Sequence, residues 1–156
     1  MSDAGELRWA VKDSFLRYVR VIAAGTVTVE GGASEQEDGG FSWPLRAVRR
    51  EDGALLLEFA GSVRFQAHAG FLDVDLREPR LRLHEGGGEL DIAPESAPER
   101  LTIATIDAAG DALVPRLSEA GVPVFGNVYA VGTELAPLLA RVAVDPGTGP
   151  ALPVDS

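Results

Sequence analysis

From Leu7 to Ile22 the apolar side chains Leu7, Val11, Phe15, Val19 and Ile22 recur at steps of three and four, which places them on one face of a helix. Arg8, Lys12, Asp13, Arg17 and Arg20 take the opposite face. Tyr18, three residues after Phe15 and one before Val19, falls on or beside the apolar face, so its hydroxyl needs a partner near the core.

Beyond this segment the period changes to two. GTVTVEGG (Gly25 to Gly32) alternates apolar and polar side chains between glycines. GASEQEDGG is acidic and poor in apolar residues, so Ala33 to Gly39 is expected to be a mobile surface loop that tolerates shortening. FSWPLRAV, ALLLEFAGSVRFQAH, FLDVDL, RLRLHE, ELDIA and LTIATID follow, separated by the turn vocabulary EDG, AG, EP, GGG and PESAPE. Gly61, inside the longest of these runs, marks a bulge or a close backbone approach. There is no room for a helix between successive strands, which excludes a parallel α/β sheet. The expected fold is mainly β: an antiparallel sandwich or barrel-like sheet, with an N-terminal helix and room for one short further helix. DALVPRLSEAG reads as a short helix broken at Pro115, and VPVFGNVYAVGTELAPLLARVAV mixes both periods without resolving into elements. A single domain over 5–144 is expected, with 145–156, rich in proline and glycine, as a flexible tail.

Composition narrows the partners. A chain of 156 residues with 46% hydrophobic and 24% charged side chains is long enough to bury a core without cross-links. Its formal net charge of −10 argues against nucleic acid, which needs clustered cations, and against an anionic membrane surface. No apolar run reaches the ~20 residues of a membrane-spanning helix. MSDAGELRW is polar and not a basic start leading into an apolar stretch, so the expected location is cytoplasmic, or secreted or surface-bound if a leader precedes it. Zero cysteines exclude disulfides, thiolate metal sites and iron–sulfur clusters.

Few residues carry chemistry by pattern. The nucleophile elbow, phosphate-binding loop, dinucleotide fingerprint and His-Glu-x-x-His are all missing. EGGGEL fits a tight hairpin between two strands. Asp73 and Asp75 in FLDVDL lie on one side of a strand, the usual pattern of a solvent face and only formally a carboxylate pair. His84 sits beside a turn, opposite Leu81 and Leu83 in the alternation. His68 ends a strand whose Val63, Phe65 and Ala67 form one face and Arg64, Gln66 and His68 the other. Pattern alone leaves open whether His68 is an exposed strand-end residue or part of a binding site at the turn.

Several segments together form a recognisable set: Trp9, Ser14, Phe15 and Tyr18; then Gly61, Val63, Phe65, His68 and Gly70; then Asp73, Leu76 and Pro79; then Tyr129 and Gly132. In order and spacing they resemble the Htaa domain, the haem-transport-associated domain of Gram-positive haem-uptake proteins, over about residues 7 to 139. The resemblance implies haem binding on a β-rich domain, with Tyr18 as the axial ligand of ferric haem b and His68 hydrogen-bonded to it. It associates Tyr129 with haem less directly. Ser14, one turn before Tyr18 on the same helix face, is positioned to contact a propionate or the surroundings of the tyrosine. Phe15, Phe41, Trp43, Phe71 and Phe125 are the candidate apolar walls. The implied role is to carry, buffer or transfer haem, with a haem donor or acceptor protein as partner and a homodimer as a further option.

That chemistry is coherent in its own right. A phenolate is a hard anionic ligand suited to Fe(III), and haem proteins use tyrosine this way. A free phenol ionises only near pH 10, so the metal must drive the proton off, and an imidazole beside the oxygen would orient and tune it. Two other readings stand beside the carrier. A haem-using or haem-degrading enzyme would need an acid/base group over the distal face, and no distinct candidate is left once His68 is assigned to Tyr18. A cofactor-free interaction module would use the same residues only for its fold.

Overall fold

The computed structural model describes residues 5–95, 97–109 and 112–142, so the flexible tail expected at 145–156 lies outside the described residues. The chain opens with strand β1 (Gly5–Trp9), followed by helix α1 (Asp13–Arg17), which continues without a break into a π-helical turn, Tyr18–Ile22. The expected helical face therefore starts too early. Leu7, on the helical face, forms a period of two with Trp9, which is not, and pairing with two neighbouring strands decides for the strand. Between strand and helix Val11 adopts φ of 58°, rare for a β-branched residue; it is fully buried and its carbonyl accepts the Ala136 N–H at 2.8 Å.

Strands β2 (Thr26–Glu30), β3 (Ser34–Glu35), β4 (Phe41–Glu51), β5 (Ala54–Phe59) and β6 (Ser62–Ala67) come next, then a 3-10 turn at His68–Gly70. They are followed by β7 (Leu72–Arg77), β8 (Arg80–His84), β9 (Gly87–Ile92), β10 (Leu101–Ala109), β11 (Ala112–Leu117), the short helix α2 (Gly121–Val124) and β12 (Leu138–Val142). All named strand pairings are antiparallel. In the order β1-β12-β11-β10-β9-β8-β5-β4, with β4 returning to β1, they close an eight-stranded barrel. Closure leaves the wall without free edges. A separate sheet, β2-β6-β7, covers one side.

Three further expectations are corrected. ALLLEFAGSVRFQAH is two strands in two sheets, divided at Ala60–Gly61. Gly61 has φ of +102°, and a Cβ there would lie 2.7 Å from the Ala33 nitrogen, so the close-approach reading of this glycine is right. Ala33 to Gly39 is not a free loop: Ala33 is buried, Ser34 and Glu35 pair with β4, and Glu35 binds Arg20 at 2.8 Å. DALVPRL forms strand β11, not a broken helix. Pro115 is tolerated because the ladder on that side of β11 is interrupted between the Leu113–Leu138 pair and the Arg116–Glu134 bridge, and the Pro115 carbonyl still accepts the Leu135 N–H at 2.9 Å.

One contiguous apolar cluster joins barrel, covering sheet and helix. Trp43 of β4, fully buried, donates its indole N–H to the Leu76 carbonyl of β7 at 3.1 Å, fastening the sheet to the barrel. An aromatic chain runs alongside. Phe41 meets Phe65 edge-on at 5.4 Å, Phe65 meets Phe15 at 5.1 Å, and Phe15 meets Phe125 at 5.3 Å. Each such pair contributes about 0.5–1.5 kcal/mol beyond the area it buries. These contacts hold the helix in one rotational setting against β6 and the end of α2.

Candidate functional site

That rotational setting leaves the helix with two environments. Phe15, Leu16 and Val19 are buried, while Tyr18 is half-buried and Ser14 exposed. After Tyr18 the turn widens: the Ala23 N–H reaches back five residues to the Tyr18 carbonyl at 2.8 Å, and Gly25 reaches the Val19 carbonyl at 2.7 Å. The wider turn shifts every following residue around the axis. Ile22, expected on the buried face, is consequently 67% exposed and lies at the rim of a groove.

This groove, about 500 Å³, lies between the helix, the His68–Gly70 turn and the loop after α2. Phe15 and Phe125 form its floor, both within the core, and Leu72 and Val128 add apolar wall. Phe71 is 94% exposed, an unusual placement for an aromatic side chain with no core role. Of the five aromatics expected as walls, Phe15, Phe71 and Phe125 line the groove; Phe41 and Trp43 are fully buried in the core.

His68 enters the groove because the strand ends there. Val63, Phe65 and Ala67 of β6 are buried, and the chain then turns through three consecutive residues with positive φ: His68 at 55°, Ala69 at 55° and Gly70 at 94°. Two non-glycine residues in this conformation are a local strain of the kind that surrounding structure must hold in place. The turn swings the imidazole toward the helix, and His68 Nε2 shares a hydrogen bond with the Tyr18 hydroxyl. At the other end of the groove Ser14 Oγ and the Tyr129 hydroxyl share a hydrogen bond of 3.1 Å. The structure thus brings Ser14, Phe15, Tyr18, His68 and Tyr129 to one groove, from three separate parts of the chain.

Sequence reasoning missed Ile22, Leu72, Gly126 and Val128. Gly126 was legible in principle, as the centre of Phe-Gly-Asn. It has φ of +78°, and a Cβ there would come within 2.9 Å of Leu72 Cδ1, so its bareness lets the loop close on the groove wall. The other histidine, His84, is an exposed hairpin residue beside the Glu85–Gly86 turn, as expected.

The Asp73–Asp75 pair faces outward on β7, away from the groove. Asp73 is held by Arg64 Nε and Nη2 at 2.8 and 2.7 Å, and these hydrogen bonds lower its carboxyl below the usual range. Asp75 accepts from Ser62 Oγ at 2.8 Å and from the Glu95 N–H at 3.1 Å. Both carboxylates have structural partners, and no cluster of three metal-ligating His, Asp or Glu side chains occurs among the described residues.

The Htaa family model matches residues 4–141. The fold is shared with the N-terminal domain of HtaA from Corynebacterium glutamicum, at a TM-score of 0.76 and 22% identity over 90% of this chain and 97% of that one. It is shared with the C-terminal domain of HtaA from the same organism, at 0.73 and 22% identity over 86% and 92%. The Heme binding protein HtaB of that organism aligns at 0.64 and 24% identity over 89% and 94%. No curated protein matches the chain.

Proposed function

The chain belongs to the Htaa family, and from that premise we propose that its groove binds ferric haem b, with Tyr18 as the iron ligand and His68 as the partner of the ligating oxygen. The observation that carries the reading is the hydrogen bond between Tyr18 and His68 at an apolar groove open to solvent. A tyrosine that served only the core would turn its hydroxyl to a backbone carbonyl. This one turns to His68, held at the end of β6 by a turn of unfavourable backbone geometry.

The donor set fits the group. An apolar cleft between Phe15, Phe125, Leu72 and Val128 suits a flat macrocycle, and its volume is within the usual range of small-molecule sites, about 300–1,000 Å³. The phenol is a hard oxygen donor at the cleft wall, and haem supplies a ferric Lewis acid that favours its ionised form. His68 then orients the oxygen and stabilises its charge, the role that outer partners of metal ligands generally play. The Ser14–Tyr129 hydroxyl pair offers donors to a carboxylate at the other end. A HtaB protein of the same fold is described as heme binding, which supports the same assignment for this chain.

We assign the protein a carrier role and not a catalytic one: it takes haem from a donor protein and passes it to an acceptor. The groove is open and its rim residues Ile22, Phe71 and Val128 are exposed, which suits a ligand that must leave. Titration with hemin tests the reading. The expected result is a tyrosinate-to-iron charge-transfer band that Tyr18→Phe abolishes, with affinity lowered at least tenfold. An unchanged spectrum in Tyr18→Phe refutes ligation by this residue, and peroxide-driven or reductant-driven turnover of bound haem would favour the enzyme reading.

A further inference from the structure

Lys12 is the sole lysine of the chain; the other 13 of its 14 basic side chains are arginines. It immediately precedes α1, and Ser14 and Tyr18 lie on the helix it leads into. Its ammonium sits 5.7 Å from the centroid of the Tyr129 ring and donates to the Glu134 backbone carbonyl at 3.1 Å. The Glu134 carboxylate is directed elsewhere, to Arg116 at 3.6 Å, so Lys12 takes the neutral carbonyl of that residue and not its charge. The two arginines of the same helix face elsewhere: Arg17 and Arg20 line a separate recess beside Asp13 and Asp38, and Arg20 is bound to Glu35 at 2.8 Å and to the Gly39 carbonyl. An ammonium has three N–H donors. One is satisfied by Glu134, and the positive charge stands beside the ring whose hydroxyl pairs with Ser14.

Charge gives this placement a purpose. A protein of net charge −10 repels an anionic ligand unless a local cation offsets the field at the point of entry. The Ser14–Tyr129 pair can donate hydrogen bonds to a carboxylate but cannot balance its charge. We propose that Lys12 is the cation that selects the ionised carboxylate side arms of the ligand, so that the groove discriminates free-acid porphyrins from esterified or uncharged ones. This rests on the haem reading above and adds to it a determinant of specificity that does not touch the iron. A lysine suits the task better than an arginine, because its compact charge rides on a flexible stem that follows the ligand without fixing a planar geometry.

The test compares ferric haem with ferric haem dimethyl ester, whose carboxylates are blocked, on wild type, Lys12→Gln and Lys12→Arg. Wild type is expected to bind the free acid about tenfold more tightly than the diester. Lys12→Gln is expected to lose most of that preference by weakening the free acid alone, while Lys12→Arg retains a large part of it. The free-acid affinity of wild type should also fall more steeply with salt than that of Lys12→Gln. In addition, acylation of the Lys12 amine, followed by mass spectrometry, should slow when ferric haem is bound. Equal losses on both ligands in Lys12→Gln would mean that Lys12 only steadies Tyr129, and would overturn the proposal; so would an unchanged preference. If wild type bound neither ligand, the haem reading itself would fall, and this inference with it. Binding of both ligands with a tyrosinate band and no Lys12 effect would overturn this inference alone.

Discussion

The Tyr18 hydroxyl and His68 Nε2 share a hydrogen bond across fifty residues of sequence, from a π-helical turn to a strained turn at the end of a strand in the covering sheet. Neither element needs the other for its own backbone hydrogen bonds. What joins them is the packing of Phe15 on Phe65, which sets the helix against β6 and so aims Tyr18 at the strand's end.

His68→Ala therefore separates site from fold. The side chain is exposed, so the melting temperature is expected to stay within a few degrees of wild type. Hemin affinity should fall about 10–100-fold, with a displaced charge-transfer band, as for loss of a metal ligand's outer partner. Unchanged spectrum and affinity would remove His68 from the site.

Ala69 holds a left-handed conformation at φ of 55° and ψ of 33°. Ala69→Gly is expected to stabilise the protein by about 0.5–1 kcal/mol in chemical denaturation, because glycine meets no Cβ penalty there. Ala69→Val should destabilise by more than that, since a β-branched residue is poorly accommodated in this region. A destabilised glycine variant would show that the turn carries no strain.

Gly61→Ala tests the corner that divides β5 from β6. The added methyl would sit 2.7 Å from the Ala33 nitrogen and 2.9 Å from its Cβ, on a backbone at φ of +102°. A loss of at least about 2 kcal/mol is expected in denaturant unfolding. Deleting Ser34 to Asp38 should be costly for a related reason: it removes the β3–β4 pairing and the Arg20–Glu35 ion pair.

Acid should weaken the fold through Asp73 and Glu6. Hydrogen bonds from Arg64 lower the Asp73 carboxyl below its ordinary 3.8, and a hydrogen bond from Ser42 lowers Glu6 below its ordinary 4.5. A carboxyl lowered on folding contributes stability that is complete above its unfolded value and is lost as pH falls through the folded one. The stability gap between wild type and Asp73→Asn, measured in urea, is thus expected to be widest near neutrality and to close below about pH 4. A gap that stays constant down to pH 3 would contradict the Arg64–Asp73 coupling.

How much of this was legible beforehand depends on the range of the forces involved. Strands β7 to β10, the pairing of β8 with β9 and of β9 with β10, and the outward aspartates follow from period two and turn residues, which are local properties of the chain. Tyr18 and His68 stood out as residues whose polar groups local pattern did not place. The N-terminal helix began later than its apolar period allowed, because Leu7 fits either period, Trp9 fits only the period of two, and β4 and β12 claimed both. Ala33 to Gly39 has the composition of a free loop, and it is contacts with distant residues, Arg20, β4 and the Gly61 backbone, that tie it down.

By itself the sequence determined an antiparallel, mainly β domain, a helix bearing a tyrosine at the margin of its apolar face, and a histidine where a strand gives way to a turn. The tertiary structure alone decided that the sheet closes into a barrel, since closure depends on β4 pairing with both β5 and β1 along its length. It also decided that Tyr18 meets His68 and Ser14 meets Tyr129. Those meetings depend on rotations that pattern does not encode: a widened helical turn, three positive φ angles in succession, and the seating of one phenylalanine ring on another.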